Sequence, residues 1–245
     1  MKALGIDIGG SAIKGAPVDV RTGRLLAERH RIATPRRLSP VQMAGAVREI
    51  VRHFEWQGPV GIGFPGVIAG RRILTSANLH PKFIGCDGVR LFSRAAGGPV
   101  ALINDAAAAA HAEMTCGAGR GFTGKTLLVT LGTGVGTALA QDGVVFACEL
   151  GHFPWEGKSA EKFVGAAARG REDLSWVQWG KRLGRYLRQL EALLWPERII
   201  IGGGASAKHR KFFPHLKTRA EVVPAQLRNG AGIVGAALWA ARDRA

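Results

Sequence analysis

Two glycine turns, each between apolar segments, most constrain the fold of this 245-residue chain. In the first half, Leu4–Ile8 runs into a pair of glycines, and Ala12–Val20 follows directly. In the second half, Leu127–Leu131 runs into Gly132–Gly136, which Thr137–Ala140 continues. Short apolar runs bounded by glycine are typical of buried strands joined by tight turns. Two halves that open in the same way predict a duplicated α/β architecture.

The remaining hydrophobic pattern alternates between strand and helix. Ser39 and Gln42 predict a capping box at a helix that starts at Pro40. Its predicted apolar face consists of Val41, Ala44, Val47, Val51 and Phe54. The other predicted elements are strands at Leu25–Ile32, Val60–Phe64, Val100–Ile103 and Arg198–Ile201, and helices at Ala106–Glu113, Ser175–Leu194 and Gly232–Ala241.

The charge balance is the most unusual bulk property. The chain has 34 Lys and Arg against 18 Asp and Glu, a net charge of +16. Such an excess attracts polyanions, so nucleic acid, an anionic membrane surface and a phosphate-rich substrate are candidates. A basic protein with no special partner is the alternative. The three cysteines, Cys86, Cys116 and Cys148, are far apart and odd in number, which predicts a reducing compartment and no disulfide framework. The sequence shows neither a long apolar span nor a signal peptide at its start, so we expect a cytoplasmic protein.

The first glycine turn places polar groups beside flexible backbone. Asp7 ends the strand, and Ser11 and Lys14 follow Gly9 and Gly10. Glycines let backbone N–H groups approach phosphate oxygens, while Asp7 can hold Mg²⁺ through water and Ser11 can bond a phosphate. The turn is not a Walker A loop and, since no helix follows, not a dinucleotide fingerprint. The alternative is an ordinary hairpin turn. The second turn, at Gly132–Gly136, favours phosphate binding from two sides.

Two further groups carry candidate chemistry. Asn104 and Asp105 stand where a strand ends and a helix begins, so Asp105 is either a helix N-cap or a carboxylate that accepts a proton from an attacking hydroxyl. Glu149 and His152, followed by Glu161, can hydrogen-bond neighbouring sugar hydroxyls. The alternative for the Glu149 segment is a surface loop.

The order of these motifs resembles the ROK family of sugar kinases and repressors, within the actin-like ATPase superfamily. The similarity runs from Leu4 to about Ala237. Its motifs are Asp7–Ser11, Gly61–Gly66, Asn104–Ala106, Leu131–Gly136, Glu149–His152 and Ile201–Gly204. Within the family the chain is most similar to the polyphosphate glucokinases, on the segments Leu174–Trp176, Val223–Ala225 and Leu227–Ala237.

The resemblance implies a ribonuclease H-like duplicated α/β fold, with two lobes around a cleft. The implied lobes are a small one at 1–105, on which a C-terminal helix at about 232–245 packs back, and a large one at 106–231. Asp105 would be the catalytic base. The implied sugar ligands are Asn78, Asn104, Glu149, His152 and Glu161. The implied ligands of the phosphates, of Mg²⁺ and of the adenosine are Asp7, Gly9, Gly10, Ser11, Lys14, Gly132, Thr133, Gly134, Gly202, Gly203 and Gly204.

The chain departs from many family members in one respect. They carry a cysteine-rich zinc motif after the Glu-x-Gly-His segment, whereas no cysteine follows Cys148 here. We therefore expect no zinc site. The family's repressors carry an N-terminal helix-turn-helix, for which the segment before Leu4 has no room, so we expect no specific binding of nucleic acid. The lack of a long apolar span leads us to expect no membrane partner either.

The resemblance implies a phosphotransferase that acts on the 6-hydroxyl of glucose or a related hexose. Inorganic polyphosphate and ATP would be its donors, Mg²⁺ its cofactor and a homodimer its assembly. A polyphosphate donor would explain the basic excess. The phosphate site can be extended by Lys208, Arg210 and Lys211, with Lys217 and Arg219. The alternatives are an ATP-only hexose kinase, or a non-catalytic regulator that binds polyanions or sugar.

Overall fold

A computed structural model describes residues 1–10, 12–33, 38–76 and 79–242. The chain divides into two compact units, Met1–Ala112 with Gly230–Ala245, and Glu113–Asn229. The division lies within a helix and later than the predicted boundary after Asp105, and the first unit is not the smaller one. Among the described residues, no helix is long and apolar enough to cross a membrane.

The elements are numbered in chain order. The strands are β1 (Lys2–Ile8), β2 (Ala12–Asp19), β3 (Arg24–Leu25), β4 (His30–Ala33), β5 (Val60–Phe64), β6 (Ile68–Ala69), β7 (Arg72–Ile73), β8 (Val100–Asn104), β9 (Thr126–Leu131), β10 (Val135–Gln141), β11 (Val144–Cys148), β12 (Pro154–Trp155), β13 (Lys158–Ser159), β14 (Arg198–Gly202) and β15 (Glu221–Pro224). The helices are α1 (Pro40–His53), α2 (Gly88–Ala96), α3 (Asp105–Cys116), α4 (Glu161–Val164), α5 (Ala166–Arg171), α6 (Trp176–Leu194) and α7 (Ala231–Arg242).

The sheet of the first unit has the order β3-β2-β1-β5-β8, and β4 also pairs with β2. β1 and β2 form the predicted antiparallel hairpin, whereas β1, β5 and β8 are parallel. The single strand predicted at Leu25–Ile32 is wrong. Two short strands replace it, because β3 pairs with one end of β2 and β4 with the other end.

The helix α1 begins as predicted, and most of its predicted apolar face is buried. Ser39 and Gln42 form the capping box. Its buried side chains include Met43, Val47 and Ile50, which recur every three or four residues. Val41 was assigned to the apolar face, and this is wrong: it is 78% exposed, because it lies in the first turn on the side away from the core.

The helix α7 packs very closely on β1 and β5 of the first unit. A Cβ atom placed on Gly61 of β5 would lie 1.8 Å from the carbonyl oxygen of Ala236, and one on Gly235 would lie 1.7 Å from that of Ala108. Backbone therefore touches backbone, which side chains would prevent. The first glycine of the Gly61–Gly66 motif thus serves the packing of α7.

The sheet of the second unit has the order β11-β10-β9-β14-β15. β9 and β10 form the second antiparallel hairpin, and β9, β14 and β15 are parallel. This arrangement matches that of the first unit, so the predicted duplicated α/β fold is confirmed. As predicted, α6 buries Leu183, Leu187 and Leu190.

Candidate functional site

The end of β1 holds Asp7 beside the first glycine turn. Asp7 pairs in register with Lys14 of β2, and its Oδ2 lies 3.9 Å from the lysine Nζ. Burial raises the pKa of Asp7, and the ammonium of Lys14 lowers it in part. A Cβ atom on Gly232, in the first turn of α7, would lie 2.7 Å from Asp7 Cγ. This glycine therefore leaves room for the carboxylate.

The Gly9–Gly10 turn closes where Gly9 N donates to Ala12 O at 3.0 Å. Gly10 is exposed and lies between β1 and β2. Two predicted ligands, Ser11 and Asn78, lie outside the described residues, so their predicted roles stay predictions.

The carboxyl end of β8 brings Asn104 and Asp105 to the start of α3. Asn104 is buried; its Oδ1 accepts from Ala107 N at 3.0 Å, and its Nδ2 donates to Gly66 O at 3.2 Å. Asn104 therefore caps α3, and the alternative that Asp105 is the N-cap is wrong. Oδ1 of Asp105 accepts from Ala106 N at 2.8 Å.

Asp7 and Asp105 lie at the same edge of the first sheet. Gly63 of β5 pairs with Asp7 on one side and with Ile103 of β8 on the other. A Cβ atom on Gly63 would lie 3.7 Å from Cα of Asp105. Gly63 therefore lies between the strand ends that carry Asp7 and Asp105. Among the described residues, Asn104 uses one of its two amide hydrogens and one lone pair of its oxygen.

The second glycine turn joins β9 to β10. Gly132 N donates to Gly134 O at 3.1 Å. Two neighbouring segments touch the turn: Ala167 N of α5 donates to Gly132 O at 3.4 Å, and a Cβ on Gly165 would lie 3.2 Å from Thr133 O. The turn is therefore a fixed surface of backbone groups with glycines at 132 and 134.

The segment with Glu149 and His152 is a 3-10 turn that Thr137 holds in place. Oγ1 of Thr137 donates to Cys148 O at 2.6 Å and accepts from Leu150 N at 2.9 Å. Thr137 is buried in β10, so it fixes the backbone on both sides of Glu149. A Cβ on Gly151 would lie 2.3 Å from Val135 O, which explains the glycine in this motif.

Three of the predicted sugar ligands gather in the second unit. Oε2 of Glu149 lies 3.9 Å from Nδ1 of His152. Burial raises the pKa of Glu149; the charge of His152 lowers it, and the charge of Glu161 raises it. A Cβ atom on Gly134 would clash with Oε2 of Glu161, which places Glu161 against the second glycine turn. The sugar-binding role of this segment stays a prediction.

The glycine run after β14 lies beside the same turn. Gly202 ends β14, and Gly203 has a φ of 76°, where a side chain is strained. A Cβ on Gly203 would also lie 2.5 Å from Leu131 O. Gly204 is exposed and begins a 3-10 segment that is kinked at Lys208 and ends at Lys211. The carboxyl ends of β9 and β14 therefore present adjacent glycine backbone.

The residues around Asp7 suit Mg²⁺ better than a metal ion whose ligands all come from the protein. Mg²⁺ keeps several waters and takes one or two carboxylates together with substrate phosphates. Asp7 supplies one carboxylate, whose pKa is raised by burial and only partly lowered again by Lys14. In residues 1–10, 12–33, 38–76 and 79–242, no group of three or more His, Cys, Asp or Glu is placed to hold a metal. The expected lack of a zinc site stays a prediction.

Sequence reasoning missed Thr137 and Gly232. Thr137 reads as an ordinary strand residue, and its contact with the Glu149 segment depends on the pairing of β10 with β11. Gly232 stands in a segment quoted for family similarity, but its position against Asp7 requires α7 to pack on β1. Both contacts join segments that are distant in sequence, so the spacing of neighbouring residues does not predict them.

Comparison with known proteins agrees with the predicted resemblance. The ROK family model matches residues 3–168. The polyphosphate glucokinase of Mycobacterium tuberculosis is 39% identical over 242 residues, which cover 98% of this chain and 91% of that protein. The inorganic polyphosphate/ATP-glucomannokinase from Arthrobacter sp. strain KM is 42% identical, with a TM-score of 0.95 over 99% of both chains.

A glucokinase structure from Streptomyces griseus, in complex with glucose and AMPPNP, is similar at 25% identity. Its TM-score is 0.82, over 97% of this chain and 98% of that one. The family match covers well over half of the 245 residues, and the duplicated sheets have the topology that the resemblance implied. This chain therefore belongs to the ROK family.

Proposed function

We propose that this chain is a phosphotransferase that phosphorylates the 6-hydroxyl of glucose or a related hexose, with inorganic polyphosphate or ATP as donor. The observation that carries the proposal is the end of β8, where Asn104 caps α3 and Asp105 stands beside it in the first turn of the helix. The polyphosphate glucokinase and the glucomannokinase similar to this chain support the choice of substrates.

Asp105 acts as the base that orients the sugar hydroxyl and accepts its proton. Phosphoryl transfer has a loose transition state, so positioning contributes more than a raised pKa. The first turn of α3 offers backbone N–H groups that stabilise a nearby carboxylate. Asn104, fixed by its contacts with Ala107 and Gly66, positions this turn and offers one remaining donor to the sugar.

Glu149, His152 and Glu161 bind the sugar hydroxyls. A carboxylate accepts two hydrogen bonds from neighbouring hydroxyls, and the imidazole adds a donor or an acceptor. Thr137 and Gly151 hold the loop in one conformation, which reduces the entropy lost on binding. Asn78, outside the described residues, is the remaining proposed ligand.

The two glycine turns bind the phosphates, and the run at Gly202–Gly204 borders the adenosine of ATP. In the first turn, Gly9, Gly10 and Ser11 present backbone and hydroxyl groups, and Lys14 adds a positive charge. Asp7 holds Mg²⁺ through water; when bound, the ion neutralises charge on the phosphoryl group being transferred.

Replacing Glu149 with glutamine, or His152 with alanine, should raise the KM for sugar about 10-fold or more and change the KM for the donor far less. Loss of one buried hydrogen-bond partner costs about 1–3 kcal/mol. Because the pKa of Glu149 is raised, the wild-type KM for sugar should rise as the pH falls through that pKa, and glutamine should flatten this rise. Sugar titrations at several pH values give the result. Unchanged sugar dependence in both variants would move the sugar site elsewhere.

A matrix of donors and sugars on the purified protein tests the proposed function. Sugar 6-phosphate is measured with ATP or long-chain polyphosphate, each against glucose, mannose and glucosamine. We expect product from glucose with both donors. Product with ATP alone would support an ATP-only hexose kinase, and no product with either donor would support a non-catalytic regulator.

The KM for polyphosphate should rise more steeply with salt than the KM for ATP. Lys208, Arg210 and Lys211 are exposed, so each can release counterions from a phosphate chain. ATP presents three phosphates, partly covered by Mg²⁺, and adds contacts through adenosine. A series of KCl concentrations with both donors measures the slopes. Parallel slopes would make the net charge of +16 a general surface property.

We also propose that the enzyme is cytoplasmic and homodimeric. The three free cysteines support a reducing compartment such as the cytoplasm. The family resemblance supports the homodimer. Light scattering after size-exclusion chromatography measures the mass in solution.

A further inference from the structure

Two cations meet at the ring of Trp176 in the second unit. The guanidinium carbon of Arg169 lies 4.0 Å from the centroid of the Trp176 ring. The Nζ of Lys208 lies 5.9 Å from the same ring. Both distances fall within the range in which a cation is attracted to an indole. The ring thus holds two positive charges near each other, although like charges repel.

The ring itself is fixed by aromatic packing. Phe212 stacks on Trp176 with centroids 6.0 Å apart, and Trp179 packs edge-on at 5.7 Å. Trp176 is the first residue of α6, and Ser175 caps this helix. The indole is therefore a rigid support, already covered by Arg169 and Phe212, and it is better suited to holding cations than to stacking a base.

The two cations belong to segments that also form the phosphate surface. Arg169 lies in α5, where Ala167 N donates to Gly132 O at 3.4 Å. Lys208 lies in the 3-10 segment that begins at Gly204. Each cation is therefore a few residues from a glycine run already assigned to the donor.

Both cations lack an acidic partner in the described part of the chain. The ion pairs found there involve neither Arg169 nor Lys208. The Nε of Arg169 is also buried without a hydrogen-bond acceptor among the described residues. A buried donor of a charged group is costly when it is left without an acceptor. No carboxylate in the described part of the chain therefore offsets the charge of these two cations, whereas an anionic ligand would.

We propose that Arg169 and Lys208, held on Trp176, bind the inner phosphates of a polyphosphate donor, those beyond the groups held by the Gly132–Gly134 turn. This inference rests on the proposed function. A chain of phosphates supplies negative charge to both cations at once. ATP has its adenosine beyond the third phosphate, so it depends less on these cations.

The test compares Arg169→Gln and Lys208→Gln with two matched controls. Arg171→Gln removes an exposed arginine from the same helix, and Lys181→Gln removes an exposed lysine from α6. The KM for long-chain polyphosphate should rise about 10-fold in each test variant, as loss of one charge-assisted contact implies. The KM for ATP should change less than about threefold, and both controls should resemble wild type.

The salt dependence adds an independent readout. The slope of log affinity for polyphosphate against log salt should fall by about one for each test variant and stay constant in both controls. Equal losses for ATP and polyphosphate, or equal losses in the controls, would overturn the proposal. If Arg169→Gln does not fold, Lys208→Gln decides alone, since its side chain is exposed.

Calorimetric binding of polyphosphate separates this inference from the proposed function. If wild type binds polyphosphate but does not use it as a donor, the proposed donor is wrong. The affinity of the Arg169 and Lys208 variants for polyphosphate then still tests the binding site. If wild type uses polyphosphate and the test variants bind it normally, the proposed site is wrong.

Discussion

Replacing Asp105 with asparagine should reduce the rate of sugar phosphorylation by about 100-fold or more and leave the protein folded. The asparagine carbonyl oxygen can still accept the Ala106 N–H, as Oδ1 of Asp105 does at 2.8 Å. Its amide cannot accept the proton of the sugar hydroxyl. The measurements are the rate of sugar 6-phosphate formation at saturating sugar and donor, and the thermal unfolding of both proteins.

Asp87→Asn is the matched control for this substitution. Asp87 also stands at a helix start in the first unit, where its Oδ1 accepts from Arg90 N at 2.8 Å. We expect this variant to keep its activity within a few-fold, because asparagine is also a good N-cap. Activity of Asp105→Asn within a few-fold of wild type would contradict the assignment of the base.

The sequence predicted which residues stand at the end of β8 but not how they divide their roles. Asn and Asp are both good N-caps, and choosing between these adjacent residues requires the helix start to be known to within one residue. A prediction of helix boundaries is uncertain by more than that. The hydrogen bonds decide, because Oδ1 of Asn104 reaches Ala107 N.

Local patterns predicted the elements better than their contacts. The two hairpins, α6 and the final helix follow from apolar periodicity and glycine, which act over a few residues. The face of α1 was misjudged at Val41, because the core side is set by packing against the sheet. Thr137 and Gly232 act through segments that are adjacent only after folding.

Replacing Gly61 with alanine should lower the free energy of unfolding by about 3 kcal/mol or more. The new Cβ would lie 1.8 Å from Ala236 O and 2.5 Å from the carbonyl carbon of Ala236. These are backbone atoms of α7, so no side-chain rotation can relieve the contact. The helix must move away from β5 and expose buried apolar surface. Denaturant unfolding gives the free energy, and calorimetry should show a Tm lower by on the order of 10 °C.

Gly45→Ala is the control, with the opposite expected sign. Gly45 lies in the middle of α1, and apart from the helix's own neighbouring backbone no described atom lies within 4 Å of a Cβ placed there. Alanine stabilises a helix interior by about 0.5–1 kcal/mol relative to glycine. The same added methyl group should therefore stabilise at residue 45 and destabilise at residue 61, because Gly61 touches the backbone of α7 and Gly45 does not. A Gly61→Ala protein as stable as wild type would show that α7 can move from β5 at little cost.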